Sequence, residues 1–277
     1  VTRVVRVFFD GMSRAGHLAN DDIVEILDHD DPLAALREQG EVIATASLDA
    51  VELLTPVEAP EIWGAGITYE QSRDARFAEA ATKARDAYAR AYEADRPELF
   101  MKDAGMRRTV GPGGVIGPRS DSSWSVPEPE LGVVIGERGE PVAVTIGNDV
   151  TSRDIEGENM LYLPQAKIFA GACAIGPALS ADHDCDAPRT IAMRIQDMDG
   201  LELFAGETTT SRMRRTPSEL LSWLTRDNPV PSGSVLLTGT GLVPDPDYTM
   251  LPGHRIEITI DGIGALVNVV GPIEGER

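Results

Sequence analysis

The chain has only two cysteines, Cys173 and Cys185, and they lie in unlike surroundings. Two isolated thiols exclude a disulfide framework and a cysteine-based zinc site, which need several at set spacings. Lysine and arginine together number 25 against 45 aspartates and glutamates, for a net charge of −20. A chain so poor in positive charge lacks the basic footprint that phosphate backbones require, so no nucleic-acid partner is expected. No apolar run reaches membrane-spanning length, and Val1 to Arg6 lacks the form of a signal peptide. A reduced, cytoplasmic setting without membrane attachment is therefore expected. Two familiar fingerprints are also missing. Gly111-Pro112-Gly113-Gly114 does not keep dinucleotide-binding spacing and reads as a turn, and no Gly-x-Ser-x-Gly elbow occurs.

What remains is a chain of 277 residues, 42% hydrophobic and 25% charged, which is ordinary for a globular protein with a substantial core. Acidic runs such as Asp21-Asp22 and Asp28-His29-Asp30-Asp31 suit a salt-adapted cytoplasm, where screening relieves self-repulsion. They suit an ordinary acidic protein equally. The charge describes the solvent, not the chemistry.

Residues 1–58 read as a small N-terminal α/β module: a strand over Thr2–Phe9, a helical stretch over Pro32–Gln39 stopped at Gly40, and a strand over Glu41–Ala46. Ser47–Glu61 reads as a connector. The larger unit, residues 59–277, begins with a short strand, Ile62–Ile67. Thr68-Tyr69-Glu70-Gln71 then has the form of a capping box, opening a helix that runs to about Asp95 before Pro97. From Leu99 onward the texture is β. Short apolar runs at 114–116, 131–135, 142–146, 191–195, 235–237 and 256–260 are separated by Gly, Pro and Asp turns. Helical signals interrupt at Thr216–Thr225 and near Ser152–Glu158. The fold class expected is α+β, mostly β, with a mixed sheet folded into a roll.

The chemistry starts at Glu128-Pro129-Glu130. In an extended segment residues i and i+2 share a side, and Pro127 and Pro129 stiffen the presentation. Two carboxylates thus aim at one point, and Asp149 follows after one hairpin-sized excursion. Three oxygen ligands that leave coordination positions open suit a hard divalent cation that must also hold a substrate.

Pro127–Gly136, Gly147–Asp154, Gln165–Phe169, Leu236–Gly241 and Gly262–Val270 together resemble the fumarylacetoacetate hydrolase family, in order and spacing, from about residue 62 to 270. The resemblance implies a β-roll that assembles as a dimer or higher homo-oligomer, such as a tetramer. It implies Glu128, Glu130 and Asp149 as ligands of Mg2+ (or Mn2+ or Ca2+), Lys167 beside the metal, and Thr240 in a loop closing over a substrate carboxylate. Asp154 is expected to be structural, paired with Arg153 or with backbone amides.

One departure narrows the activity. Hydrolases of the family read Gly-x-Asn-Tyr-x-x-His at the entrance to the long helix, and that histidine activates water. Here Gly66-Ile67-Thr68-Tyr69-Glu70-Gln71-Ser72 puts Ser72 where the base should be. A hydroxyl has no basicity for that task near neutral pH. His17, His29, His183 and His254 read as surface or turn residues and offer no replacement. Arg153–Lys167, moreover, is similar to the branch that dehydrates 2-keto-3-deoxy-pentonates, derived from xylonate or arabinonate, to 2,5-dioxopentanoate. The expected partner is thus a small 2-keto acid.

On this reading Lys167 is the candidate base at C3, its neutral form favoured by burial and a nearby dication, or else a charged residue that only orients substrate. Glu158 or Glu156 is the candidate acid for the leaving hydroxyl. Tyr69, Ser72 and Arg73 are candidate contacts for the hydroxylated end of the sugar acid, or helix-capping residues. The competing readings are a C–C hydrolase of acylpyruvates or diketo acids and an oxaloacetate-type decarboxylase or tautomerase.

Overall fold

An Asp-Gly turn sets the first hairpin. Asp10 and Gly11 both take positive φ, +49° and +81°, the two-residue geometry whose twist matches the flanking strands. It joins β1 (Arg3–Phe9) to β2 (Met12–Leu18), with Phe9 opposite Met12. The computed structural model describes residues 1–38, 40–70 and 92–272. Next come β3 (Ile23–Leu27), α1 (Pro32–Ala35), β4 (Val42–Ser47) and β5 (Glu52–Leu53). Asp31 caps α1 by accepting from the backbone N–H of Leu33 and Ala34, with Pro32 in the first turn.

The leading segment thus carries more strand than its sequence suggested. Met12–Leu18 has no β-branched residue, yet β2 is paired on both sides, by β1 and β3. Backbone pairing overrides side-chain propensity there. The expected helix of 68–95 falls largely on residues 71–91, outside the described residues.

Beyond residue 59 the order is β6 (Glu61–Gly66), β7 (Glu98–Ala104), β8 (Thr109–Val110), β9 (Val115–Ile116), β10 (Ser125–Val126), β11 (Pro129–Ile135), β12 (Pro141–Asp149) and β13 (Thr151–Ser152). Two short helices, α2 (Arg153–Glu158) and α3 (Leu163–Lys167), precede β14 (Cys173–Ser180). β15 (Thr190–Gln196), β16 (Glu202–Thr209), α4 (Pro217–Leu224), β17 (Val235–Leu237), β18 (Arg255–Ile260) and β19 (Gly264–Val270) complete it. The hydroxyl of Thr216 accepts from the N–H of Glu219 at 3.2 Å and Pro217 opens the first turn of α4, the cap read from the sequence.

A twelve-stranded sheet runs β4-β3-β2-β1-β14-β12-β11-β17-β6-β7, with β5 on β1 and β8 on β14. A five-stranded sheet runs β16-β15-β18-β19-β9. Most pairs are antiparallel, but β17–β6, β14–β8 and β19–β9 are parallel, so the sheets are mixed. The leading strands continue the large sheet: β1 pairs with β14 across the 58/59 position. The main core lies between the sheets, with Leu131, Val133 and Ile146 from one and Ile191, Ile195, Ile256, Ile258 and Leu266 from the other. β11 is buried along its whole length, so its sequence is continuously apolar apart from Glu130 instead of alternating. No described helix is long and apolar enough to cross a membrane.

Both cysteines are free and buried. Burial pushes the Cys173 thiol up to about 12, and burial with the neighbouring Asp186 charge does the same to Cys185. Since the thiolate is the reactive form, neither should react with a maleimide at pH 8 in the native protein, and both should react after unfolding. Mass spectrometry of the labelled chain checks this.

Candidate active site

Extended backbone through Pro127–Glu130 feeds Glu130 into β11 opposite Gly147 of β12, and the N–H of Asp149 donates to the carbonyl of Glu128 at 2.9 Å. Pairing in this register brings the Glu128, Glu130 and Asp149 side chains together. One carboxylate oxygen of each lies within 4.8 Å of the others, and all three residues are buried. The convergence expected from the Glu-Pro-Glu spacing is therefore present.

Cations approach from three directions. Lys167, at the end of α3, donates from Nζ to Glu128 Oε2, Asp149 Oδ2 and Thr151 Oγ1, each at 2.7 Å. Arg153 Nη2 meets Glu128 Oε1 at 2.7 Å. Lys102 Nζ forms an ion pair with Asp149 Oδ1. All three cationic side chains are essentially inaccessible to solvent.

Glu130 is treated differently. Its Oε2 accepts from the backbone N–H of Gly239 at 2.7 Å, and among the described residues no lysine or arginine forms an ion pair with it. Gly239 makes that contact at φ +92°, where a Cβ would stand 2.0 Å from Thr68 Oγ1 and 2.8 Å from the Ala65 carbonyl oxygen. Only glycine fits there. Burial raises the Glu130 carboxyl well above the usual carboxylate range, and the charges of Asp149 and Glu128 raise it further, against the opposing pull of Lys167 and the Gly239 N–H.

This arrangement fits a hard divalent cation. Three buried oxygen donors converge, and one of them, Glu130, has no ion-pair partner among the described residues. A dication among Glu128, Glu130 and Asp149 would remove the penalty on Glu130.

The remaining candidates divide. Tyr69 is buried beside Glu130, its ring against Gly241, and its hydroxyl has no hydrogen-bond partner among the described residues. Burial first, then the Glu130 charge, raises its pKa. Thr240 follows Gly239 directly and is buried, its hydroxyl donating to the Leu242 carbonyl at 2.9 Å. In α2, Glu156 is buried whereas Glu158 is exposed at the helix end. Ser72 and Arg73 lie outside the described residues. Asp154 takes the second of its expected roles: its carboxylate accepts from Ser122 and Ser123, including the Ser123 N–H at 2.6 Å. Arg153 turns inward to Glu128 instead.

Among the described residues no histidine hydrogen-bonds to the carboxylate cluster. His17 pairs with the Ala35 carbonyl, and His183 is exposed. His254 follows a turn as expected but is buried, 3.2 Å from the Tyr248 hydroxyl, and burial disfavours its protonation.

Lys102 and Arg153 are cluster residues that motif spacing did not single out. For Lys102 a compositional signal exists. The chain has only three lysines, Lys83, Lys102 and Lys167, against 22 arginines. Two of the three lie at this cluster. Where arginine is the usual cation, a lysine inside the apolar stretch Leu99–Lys102 marks a place where a compact point charge is needed.

With this geometry in view, the chain belongs to the fumarylacetoacetate hydrolase family: residues 62–271 match the family described as Fumarylacetoacetate (FAA) hydrolase C-terminal. It is 45% identical over 264 residues to a protein of Haloferax volcanii described as a probable 2-keto-3-deoxyxylonate dehydratase, covering 95% of this chain and 87% of that one. It is 40% identical over 232 residues to the 2-dehydro-3-deoxy-D-arabinonate dehydratase of Saccharolobus solfataricus, covering 83% and 78%. Among solved structures, a 2-keto-3-deoxy-D-arabinonate dehydratase complexed with magnesium and 2,5-dioxopentanoate superposes with a TM-score of 0.85 at 34% identity. That match covers 97% of this chain and 98% of the other.

The raised Glu130 carboxyl has a pH signature. In the metal-free folded chain Glu130 keeps a proton that the unfolded chain releases at the ordinary carboxylate value. Between those two values the metal-free stability falls as pH rises. Mg2+ needs the carboxylate, so its stabilising effect should grow across the same window. In Glu130→Gln both the slope and the Mg2+-induced rise in Tm should disappear, as read by thermal melts from pH 4 to pH 9.

Proposed function

We propose that this chain is a metal-dependent hydro-lyase that converts a 2-keto-3-deoxy-pentonate, of the xylonate or arabinonate type, to 2,5-dioxopentanoate and water. The observation that carries this reading is the buried Glu128–Glu130–Asp149 cluster with Lys167 across it. It occurs in a chain that matches, nearly end to end, a dehydratase complexed with magnesium and the dioxo product.

Glu128, Glu130 and Asp149 would hold Mg2+, which when bound supplies Lewis-acid polarisation of the 2-oxo acid. We assign Lys167 as the base that takes the C3 proton: its Nζ lies at the carboxylate cluster away from solvent, and burial together with a dication bound there would favour the neutral amine. The C4–O bond then breaks, and the hydroxyl leaves as water with a proton from an acid, for which Glu156 or Glu158 on α2 is proposed. A proton is then lost from C5 and one is gained at C3, which moves the C3=C4 double bond to the C4=C5 enol; loss of the enol O–H proton and protonation of C4 give the C5 aldehyde. Atoms balance with loss of one water and no change in net oxidation state.

The unpartnered Tyr69 hydroxyl supports a contact with the sugar-acid hydroxyls, because a buried donor without a partner is costly until a ligand accepts from it. Ser72 and Arg73 are proposed alongside it from their place in the sequence. Thr240, next to the amide that holds Glu130, is proposed to meet the substrate carboxylate. Ser72 at the histidine position disfavours the hydrolase reading.

Incubation with 2-keto-3-deoxy-pentonate and Mg2+, coupled to an NAD(P)-dependent semialdehyde dehydrogenase, should show aldehyde formation that chelation abolishes. Pyruvate released from an acylpyruvate would instead indicate the hydrolase, and CO2 from oxaloacetate the decarboxylase. Lys167→Met should lower kcat by about 10²–10⁴ while Mg2+ still binds. Near-normal turnover in that variant would remove Lys167 from the role of base.

A further inference from the structure

Lys102 is fully buried and lies where the ladder between β6 and β7 slips. Ile62 pairs with Asp103 and Trp63 with Met101, so Lys102 is the extra residue of a β-bulge. Such a bulge re-aims a side chain. Here it delivers the ammonium to three acceptors: Asp149 Oδ1, the Val150 carbonyl at 2.9 Å and the Lys167 carbonyl at 2.6 Å. Two of its N–H groups are taken by the backbone carbonyls, and its charge is left to the ion pair with Asp149.

Each acceptor belongs to the site. Asp149 Oδ1 is occupied by Lys102, while Asp149 Oδ2 faces the cluster and the Lys167 ammonium. The Val150 carbonyl is the next link of the same chain. The Lys167 carbonyl ends α3, where a cation is favoured by the helix polarity. From these contacts we infer that Lys102 is a positioning residue. It holds Asp149 in the rotamer that offers Oδ2 to the metal, and it fixes the backbone from which Lys167 reaches the reacting centre, without touching substrate. This inference rests on the metal-dependent reading above. Arginine would keep the charge, but its planar fork cannot place three donors around one point as an ammonium does.

The test is a calorimetric Mg2+ titration of the full-length protein and its variants, with circular dichroism to confirm folding. Lys102→Met and Lys102→Arg should each weaken Mg2+ binding by about 10–100-fold, the range for lost partners of metal ligands. Saturating Mg2+ should restore part of kcat in both. Asp103→Asn is the structural control. Asp103 is buried next door and accepts from Arg108, Thr109 and two backbone amides, with no contact to the cluster. It should lower Tm and leave the Mg2+ Kd unchanged. A folded Lys102 variant with the wild-type Kd overturns the inference, and if Lys102→Met does not fold, Lys102→Arg decides alone. A wild-type chain that binds Mg2+ but forms no aldehyde refutes the proposed reaction and leaves the Lys102 inference to be decided by affinity. Failure of the wild type to bind Mg2+ overturns both.

Discussion

Three carboxylates buried within 4.8 Å of one another are the constraint on which the rest of this structure depends. At an effective dielectric of about 20, two unit charges at that separation repel by roughly 3–4 kcal/mol, before the cost of removing them from water. Such a cluster survives only if the fold brings opposite charge to it from fixed directions. Arg153 comes from the start of α2, Lys167 from the end of α3 and Lys102 from the bulge in β7. The two short helices and the bulge therefore serve one electrostatic purpose. β11, buried throughout, and the buried stretch of β12 from Ala143 to Asp149 keep the carboxylates from relaxing toward solvent.

The compensation is uneven, and the unevenness is what makes the cluster a site. Glu128 and Asp149 each hold ion pairs, whereas Glu130 has an amide and a raised carboxyl. A salt-bridge network evolved only for stability would balance all three. Glu130 lies where Tyr69, Gly239 and Thr240 converge, and the Tyr69 hydroxyl there has no hydrogen-bond partner among the described residues. The surface carries a large acidic excess while these cations are sequestered inside, so bulk charge and site charge have opposite logic.

Much of this was legible from residue order. The convergence of Glu128, Glu130 and Asp149 is legible because a Glu-x-Glu in extended backbone and a hairpin-sized excursion leave little freedom in where the carboxylates point, whereas Lys167 is legible only through the family resemblance. The cap and first turn of α4 were legible for a similar reason, since Thr216-Pro217 is a local signal. By contrast β2 and β3 are not legible from local sequence. Their pairing comes from β1, β14 and an Asp-Gly turn, and β2 lacks the side chains that mark strands.

By itself the sequence determined the mostly β fold class, the convergence of Glu128, Glu130 and Asp149, the serine at position 72 and the family. These follow from spacing within single segments, or from residue identity that no packing alters. Tertiary structure alone decided that Arg153 serves Glu128 and not Asp154, that Glu130 is the uncompensated carboxylate, and that Lys102 stands behind Asp149. Those are contacts between residues 25 to 109 positions apart in the chain, one of them made through a bulge that re-aims a side chain. A ladder register and a one-residue slip in it set which of several nearby charges meet, and neither is written in local sequence.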